Sequence, residues 1–458
     1  MVRRLTLILA LVLALVISGA ACLRLRLLAE RVFRTSVPLV QRSPGAPSPC
    51  GTPPAVLIHD LTVYQVPALA EPAARSPFRD PVFGTCLTRA TDRTTDIAAD
   101  DPSPGLLNEY SRVQSFNADG SLLLVRGIAA TWYLYDARTL KPIRQLPIGG
   151  PVDPRWDATD PSVLYYTEEA RLMSLNVQTL AVGTVHDFNP DFPGQTLAAV
   201  WTRGEGSPSA DGRYWGLMAD NADWQRIALL VYDQATDRII ARRTVTGAPD
   251  IDNVTISPLG NYFLAWYDYC EQGTLGTEAN PCGLMVWDRS LQNGRGLLRI
   301  CGHGDLALDA AGREVLVYQD IDTDNIAMLD IASGTVTPLW PIDFGHTAIG
   351  LHFSGRALNR PGWVVVSTYN GGHPTSQTWM DDQVFLIELK PGGRVARLAH
   401  THSLYSEAIE QDYWAEPHAT ANQELTRILF TSNWGRSGTE EVEMYVIDLP
   451  PDWPERLH

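Results

Sequence analysis

Two short stretches, PSADG at residues 208–212 and LLVYD at residues 229–233, decide the fold of this chain. The first is a polar turn ahead of an apolar strand, and the second is an apolar strand that ends in an acidic residue. Asp or Asn at such an end favours a turn, because its side chain accepts a hydrogen bond from the backbone two residues on. Together the stretches predict β-hairpins.

The second stretch recurs along the chain, and its terminal Asp, Asn or Glu lies 40 to 60 residues from the next one. The seven copies are residues 132–136, 172–176, 229–233, 284–288, 326–330, 384–388 and 444–448. The polar turn recurs ahead of several copies, at residues 116–120, 208–212, 256–260 and 308–312. Two hairpins per repeat make four antiparallel strands, which is one propeller blade. We therefore predict an all-β, seven-bladed β-propeller of four-stranded antiparallel blades.

The last repeat lacks its fourth strand. It stops at Asp448, and Pro450, Pro451 and Pro454 follow. Residues 82–89 (VFGTCLTR) resemble a fourth strand without the preceding three. We expect this N-terminal strand to complete the C-terminal blade, because an open ring would leave strand edges exposed.

The N-terminal region differs in composition from the repeats. Residues 5–23 are uncharged and largely apolar, follow Arg3 and Arg4, and end in small residues. Residues 1–35 are therefore predicted to be a signal peptide or a membrane anchor, an apolar helix with a basic flank. Residues 36–60, which are rich in proline, are predicted to be a linker. Residues 61–458 are assigned to the propeller.

Charge and cysteines bear on the compartment and the partners. The 458 residues carry a formal net charge of −16, which argues against a nucleic-acid-binding surface. Cys270 and Cys282 flank a short excursion and are predicted to form a disulfide, and Cys50 and Cys86 could form another. Paired cysteines favour an oxidising compartment, and buried free thiols are the alternative. We predict an extracytoplasmic bacterial protein, periplasmic or at the cell surface, secreted or held to the membrane by an uncleaved N-terminal segment.

Residues 418–432 (HATANQELTRILFTS) resemble the repeat of TolB-type, WD40-like exported propellers. That repeat begins with His-Pro, continues through Ser-x-Asp-Gly, and ends in an apolar strand. The resemblance spans residues 83–449 and implies an exported propeller. Propellers of this kind include binding scaffolds and, by a more distant similarity, oligogalacturonate lyases.

Those lyases hold a metal with a Gln-x-x-His-Pro-His motif and a further histidine, and residues 413–418 (YWAEPH) resemble that motif. Tyr413 stands in place of the Gln and Glu416 in place of the first His, while His418 is retained. A carboxylate can replace an imidazole as a metal ligand. The resemblance therefore implies a divalent-metal site with Glu416, His418 and, as the further histidine, His346. His303 also starts an inner strand on the same face, so we include it in the candidate metal site. Hydrated channel ends, with histidines that only cap strands, are the alternative.

A second candidate set lies on the same loop-rich face, where the inner strands start and the second and third strands are connected. The candidate ligand-binding residues are Arg112, Asp305, Trp224, Trp379, Tyr413 and Trp414. Aromatic rings beside charged groups suit a glycan or peptide groove. Burial between blades is the ordinary alternative for Trp and Tyr.

The sequence contains no Gly-rich phosphate loop, no Gly-x-Ser-x-Gly elbow and no Cys-x-x-Cys pair, so a divalent metal is the sole cofactor it suggests. We predict a non-catalytic propeller that binds a protein or a glycan on its loop-rich face. The alternative is a metal-dependent polysaccharide lyase or hydrolase of the oligogalacturonate type that uses His346, Glu416 and His418. Acidic loops would repel a polyanionic substrate unless a cation intervened, and this ranks binding above lyase chemistry.

Overall fold

The computed structural model describes residues 48–150, 152–245, 250–300, 302–343, 349–370 and 377–457. In these ranges the regular structure is antiparallel sheet, apart from three short 3-10 helices at Asn189–Asp191, Glu410–Ala415 and Trp453–Arg456. The strands form seven successive sheets, which confirms the predicted seven-bladed propeller. No helix in the described ranges is long and apolar enough to cross a lipid bilayer. The predicted signal or anchor segment, residues 1–35, lies outside them.

Two short strands precede the first complete blade, β1 (Phe78–Arg79) and β2 (Cys86–Arg89). Blade 1 consists of β3 (Leu106–Leu107), β4 (Leu122–Gly127), β5 (Thr131–Asp136) and β6 (Pro142–Gly149). Blade 2 consists of β7 (Arg155–Trp156), β8 (Val163–Glu168), β9 (Arg171–Asn176) and β10 (Val182–Asp187). Blade 3 consists of β11 (Leu197–Trp201), β12 (Tyr214–Asn221), β13 (Arg226–Asp233) and β14 (Arg238–Thr244).

Four further blades complete the ring. Blade 4 consists of β15 (Ile251–Ile256), β16 (Tyr262–Tyr267), β17 (Leu284–Asp288) and β18 (Arg295–Leu298). Blade 5 consists of β19 (Gly304–Leu308), β20 (Glu314–Asp320), β21 (Asn325–Asp330) and β22 (Val336–Pro341). Blade 6 consists of β23 (Ile349–Ser354), β24 (Trp363–Asn370), β25 (Gln383–Glu388) and β26 (Val395–His400). Blade 7 contains β27 (Thr420–Ala421), β28 (Arg427–Ser432) and β29 (Glu443–Asp448).

The seven repeated stretches are the third strands of the blades, and in blades 1 to 6 their terminal polar residues lead into the turns before the fourth strands. Asp136 accepts a hydrogen bond of 2.6 Å from the backbone N–H of Thr139. Asn176 accepts one of 2.9 Å from Thr179, in the same position of the next blade. These bonds are the side-chain turns that the sequence pattern indicates. The apolar residues of the same strands are buried between neighbouring blades.

The N-terminal strand closes the ring. Strand β2 pairs with β29, with Cys86 opposite Asp448 and Thr88 opposite Val446. Strand β1 adds a fifth strand outside it, in the order β1-β2-β29-β28-β27. Leu87 on β2 is fully buried in the core that joins blades 6 and 7. Closure therefore covers the edge that the short C-terminal blade would otherwise leave open, as the sequence predicts.

The chain ahead of β1 is fastened to the ring at several points. Cys50 and Cys86 form a disulfide with their Cα atoms 5.7 Å apart. Leu57 is fully buried, and its backbone N–H donates to the carbonyl of Arg456 at 2.9 Å. The described part of the predicted linker, residues 48–60, is thus held against the closing strand β2 and the C-terminal residues of the ring.

A buried guanidinium holds the next residues of this segment. The Arg397 side chain is fully buried and donates to the carbonyl oxygens of Thr62 at 2.6 Å and Trp379 at 2.8 Å. The rings of Tyr64 and Phe83 flank it at 4.9 and 5.0 Å. Burial lowers the pKa of Arg397 to about 10, which leaves it charged at neutral pH. A buried cation between rings and carbonyls orders both chain segments.

A histidine in the same region makes stability depend on pH. Burial lowers the pKa of His400 to about 4. The folded protein therefore keeps this imidazole neutral, while the unfolded chain protonates it below about pH 6.5. Because the unfolded state binds the extra proton, this contribution to stability is complete above pH 6.5 and decreases as pH falls toward 4.

We expect the free energy of unfolding of the wild type to fall relative to His400→Phe by about 2 kcal/mol between pH 7 and pH 5. The phenyl ring keeps the contact with Phe83, whose ring centroid lies 4.8 Å from that of His400. The difference between the two proteins, measured by urea denaturation across this range, isolates the one imidazole from all other titrating groups. Parallel curves would contradict the assignment.

Candidate metal centre

Three buried side chains with metal-binding atoms converge where the inner strands of blades 6 and 7 adjoin. His352 lies in the middle of β23, and Glu416 and His418 lie just ahead of β27. Their ligand atoms are all within 4.8 Å of one another. The Nε2 atoms of both histidines lie 3.3 Å from the same carboxylate oxygen of Glu416. We call these three residues the histidine cluster.

The backbone at His418 is held in an uncommon conformation. Its φ is 43°, in the left-handed region that residues other than Gly and Asn rarely adopt. The side-chain amide of Asn108 donates to the carbonyl of His418 at 2.7 Å. The next N–H, that of Ala419, donates to the hydroxyl of Ser367 at 3.0 Å. Such a strained residue persists because its neighbours hold it, and strain of this kind is concentrated at functional sites.

The imidazoles of the cluster lack hydrogen-bond partners. In the described part of the chain both Nδ1 atoms, of His352 and of His418, are buried without a partner, and each Nε2 contacts only the Glu416 carboxylate at 3.3 Å without forming a hydrogen bond. Unpaired buried polar atoms are uncommon in native proteins and call for an explanation such as a bound ion. Burial also lowers the pKa of His352 well below its usual value, and the neutral imidazole is the form that binds metal. Two imidazoles and one carboxylate therefore fit a divalent transition metal, and three protein ligands leave coordination positions open.

Four tyrosines surround the cluster. The Tyr110 ring lies 4.8 Å from His418 and the Tyr369 ring stacks on His352 at 5.4 Å, both between centroids. Tyr405 contacts Tyr369 at 4.7 Å, and burial beside Glu416 raises its pKa to about 12. Tyr413 lies 6.5 Å from His418 and is half exposed. The cluster thus has an aromatic wall of three tyrosines and a fourth tyrosine that is half exposed.

His303 stacks on the outer side of the cluster, 4.4 Å from His352 between ring centroids. Its Nδ1 lies 2.7 Å from the carbonyl oxygen of Leu351, so the proton resides on Nδ1 and Nε2 is left as an acceptor. Burial lowers the pKa of His303, which favours the neutral form. The arrangement is that of an oriented base beside a metal-binding cluster.

The central channel next to the cluster is lined by charged pairs. Arg112 forms an ion pair of 2.6 Å with Glu205, and its guanidinium lies over the Trp266 ring at 5.2 Å. Arg356 forms an ion pair of 3.0 Å with Asp305. Burial raises the pKa of Glu205. The positive charge of Arg112 contributes to the lowered pKa of both His303 and His352, which places it beside the cluster.

The remaining predicted ligand residues occupy different places. Trp414 adjoins Tyr413 at 5.2 Å, on the 3-10 helix Glu410–Ala415. Trp224 is largely exposed at the β12–β13 turn, where its ring lies 6.0 Å from Trp201. Trp379 packs against Trp340 and Phe385 beside blades 5 and 6. His346 lies outside the described residues.

The structure also brings into the candidate site residues that the sequence pattern did not single out. His352 is the main one, and it lies within an otherwise apolar inner strand, IGLHFS at residues 349–354. A polar residue inside such a strand is the one signal that points to it, because a buried imidazole needs a partner. Tyr110, Tyr369 and Tyr405 carry no comparable signal, since tyrosine is ordinary in blades.

Solved structures of similar fold are known. An oligogalacturonate lyase in complex with manganese is 16% identical, with a TM-score of 0.58, and the match covers 82% of this chain and 96% of that one. Oligogalacturonate lyase from Vibrio parahaemolyticus is 15% identical, with a TM-score of 0.57 and coverage of 86% and 99%. TolB from Acinetobacter baumannii is 17% identical, with a TM-score of 0.34 and coverage of 60% and 62%. No family model matches the sequence, and no curated protein matches it. The two lyase structures confirm the expected distant resemblance to oligogalacturonate lyase propellers, and at these identities it concerns the fold alone.

Proposed function

We propose that this protein is a metal-dependent lyase that acts on uronate-containing oligosaccharides. One observation carries the proposal: His352, Glu416 and His418 converge as a buried cluster, and the imidazole nitrogens have no hydrogen-bond partner among the described residues, each Nε2 contacting only the Glu416 carboxylate at 3.3 Å. The similarity to a propeller solved as an oligogalacturonate lyase in complex with manganese supports it. The sequence ranked non-catalytic binding above the lyase, because the predicted metal site rested on a single histidine that matches the lyase motif. The proposal reverses that order.

The reaction would be a β-elimination. A divalent ion held by the cluster would polarise the uronate carboxylate and acidify the proton on the adjacent carbon. His303 would accept that proton at Nε2, which the Leu351 carbonyl keeps oriented through Nδ1. The electron pair of the broken C–H bond forms the C4–C5 double bond, and the glycosidic oxygen on C4 leaves and takes a proton from water.

Two further groups would position the substrate. Arg112 lies next to the cluster and pairs with Glu205 at 2.6 Å, so it would bind the uronate by exchanging that carboxylate for the one on the substrate. The half-exposed Tyr413 offers a flat apolar surface for a sugar ring at the entrance. Tyr110 and Tyr369 would exclude water from the reacting atoms.

The test is an assay of full-length protein with oligogalacturonate and Mn²⁺, in which the ultraviolet absorbance of the unsaturated product is followed. We expect product with the wild type and a loss of kcat of about 100-fold or more in His303→Gln, with bound metal unchanged. His186→Gln is a matched control, because His186 is held by Asp191 at 2.8 Å and Asp237 at 2.7 Å, outside the cluster. Absence of unsaturated product with every divalent metal tried would refute the lyase.

Binding without catalysis is the second candidate. Glu205 and Asp305 lie in the channel beside the cluster, and their charge opposes a polyanionic substrate. A protein that binds the metal and retains a glycan without forming product would have this role. The two candidates are thus separated by the same assay.

We also propose that the protein works outside the cytoplasm. Two disulfides, Cys50–Cys86 and Cys270–Cys282, support an oxidising compartment. The apolar N-terminal run at residues 5–23 supports export. Alkylation of these cysteines in freshly extracted protein before any reduction would contradict the proposal.

A further inference from the structure

The excursion between β16 and β17 encloses a groove that takes no part in the proposed metal chemistry. The groove lies between this excursion and the end of β14 on blade 3, and its volume is about 740 Å³. That is the size of pockets that hold small ligands. We call it the rim groove, and the residues that matter for its chemistry are Arg243, Tyr267, Tyr269, Glu271, Glu278 and Trp287.

The wall formed by the excursion is rigidly held. Cys270 and Cys282 form a disulfide across its base, with their Cα atoms 5.0 Å apart. The backbone N–H of Gly296 on β18 donates to the carbonyl of Gly276 at 2.9 Å. A Cβ at position 296 would lie 2.6 Å from backbone atoms of Gly276, so this approach requires glycine. A preorganised wall lowers the entropy lost when a ligand binds.

The groove combines an exposed aromatic ring with polar walls. Tyr269 lines it and is 66% exposed, an unusual exposure for a large aromatic side chain on a loop held by a disulfide. Trp287 and Tyr267 form buried parts of the wall, and the Arg243 guanidinium lies 5.6 Å from the centre of the Trp287 ring. Hydroxyl and amide groups of Thr244, Thr274, Thr277 and Asn280 also line the groove.

The charge of the lining selects the ligand class. Arg243 is paired with Glu278 at 3.3 Å, and Glu271 adds a further negative charge. Among the described lining residues the two carboxylates outweigh the one cation, so an acidic chain would be repelled. A flat ring for stacking, with hydroxyl, amide and paired charged groups around it, suits a neutral sugar. We propose that the rim groove is a binding site for a neutral oligosaccharide, separate from the metal centre.

Affinity electrophoresis tests this proposal, with full-length protein run through gels that contain a neutral β-glucan, a neutral galactan, dextran or polygalacturonate. We expect at least one neutral polymer to retard the wild type and Tyr269→Ala to weaken that retardation about tenfold. Leu259→Ala is the matched control, because it removes an exposed apolar side chain, 48% exposed on the β15–β16 turn and outside the groove lining. It is expected to leave the retardation unchanged.

A second measurement separates this site from the metal centre. Retardation by the neutral polymer is expected to persist in EDTA and to weaken in Arg243→Gln, whereas lyase activity would stop in EDTA. Failure of every neutral polymer to retard the wild type would overturn the proposal. So would retardation that Tyr269→Ala leaves intact, or retardation by polygalacturonate alone. None of these outcomes depends on whether the metal centre is catalytic.

Discussion

Replacing His352 with leucine is expected to abolish metal binding while leaving the metal-free protein at least as stable as the wild type. Nδ1 of His352 is buried without a partner in the described part of the chain, and Nε2 contacts only Glu416 at 3.3 Å without forming a hydrogen bond, so the metal-free fold bears an unmet polar group there. Leucine removes that cost and fills a similar volume in a side-chain site that is fully buried. With metal bound, the wild type is expected to be more stable than His352→Leu, because the ion is bonded to the imidazole nitrogen that is otherwise unpaired.

The measurement is thermal unfolding with and without Mn²⁺, together with metal content after dialysis. At a metal concentration 100-fold above Kd the wild type should gain about 2.7 kcal/mol and His352→Leu none. His186→Leu is the control, since that imidazole is engaged by Asp191 and Asp237 away from the cluster. Equal metal content, or equal stabilisation by Mn²⁺ in wild type and His352→Leu, would disprove the metal centre.

Placing a charge on the closing strand is expected to prevent the ring from folding. Leu87 on β2 is fully buried among residues of blades 6 and 7, and it pairs with Ile447 on β29. In Leu87→Asp an unpaired carboxylate would occupy this core, which should lower the free energy of unfolding by at least about 4 kcal/mol. Strand β2 would then separate from β29 and expose its edge.

Urea denaturation and size-exclusion chromatography measure this effect. Val63→Asp is the control, since Val63 belongs to the same N-terminal segment but is 45% exposed. It is expected to change stability by less than about 0.5 kcal/mol. A folded, monomeric Leu87→Asp protein of unchanged stability would show that ring closure does not depend on β2.

Much of the fold could be predicted because each blade repeats the same local pattern. The apolar strand ending in Asp, Asn or Glu recurs in all seven blades, and ends such as Asp136 and Asn176 form the expected turns. The missing fourth strand of the last repeat predicts closure by β2, which the pairing with β29 confirms. Hairpins are determined by residues close together in the sequence, so they can be predicted without the tertiary structure.

The residues of the candidate site could be predicted from the sequence only in part. Glu416 and His418 stand in one short motif, which made them recognisable as a pair. His352 lies on another blade within an apolar strand, and no spacing in the sequence relates it to the motif. Trp379 was predicted to bind a ligand because tryptophan is common in glycan-binding sites, yet its ring packs against Trp340 and Phe385. Residue type alone does not tell a stacking platform from a core aromatic.

The sequence by itself determined the number of blades, the way the ring closes, the acidic character of the chain and the cysteines that pair around the excursion. Only the tertiary structure decided which side chains share a site. The reason is physical, because strand pattern and turn chemistry depend on residues that are near neighbours in the sequence. The convergence of His303, His352 and His418 depends instead on how three blades are arranged around the central channel. That arrangement is set by the packing of every blade against the next, and it brings together imidazoles that are far apart along the chain.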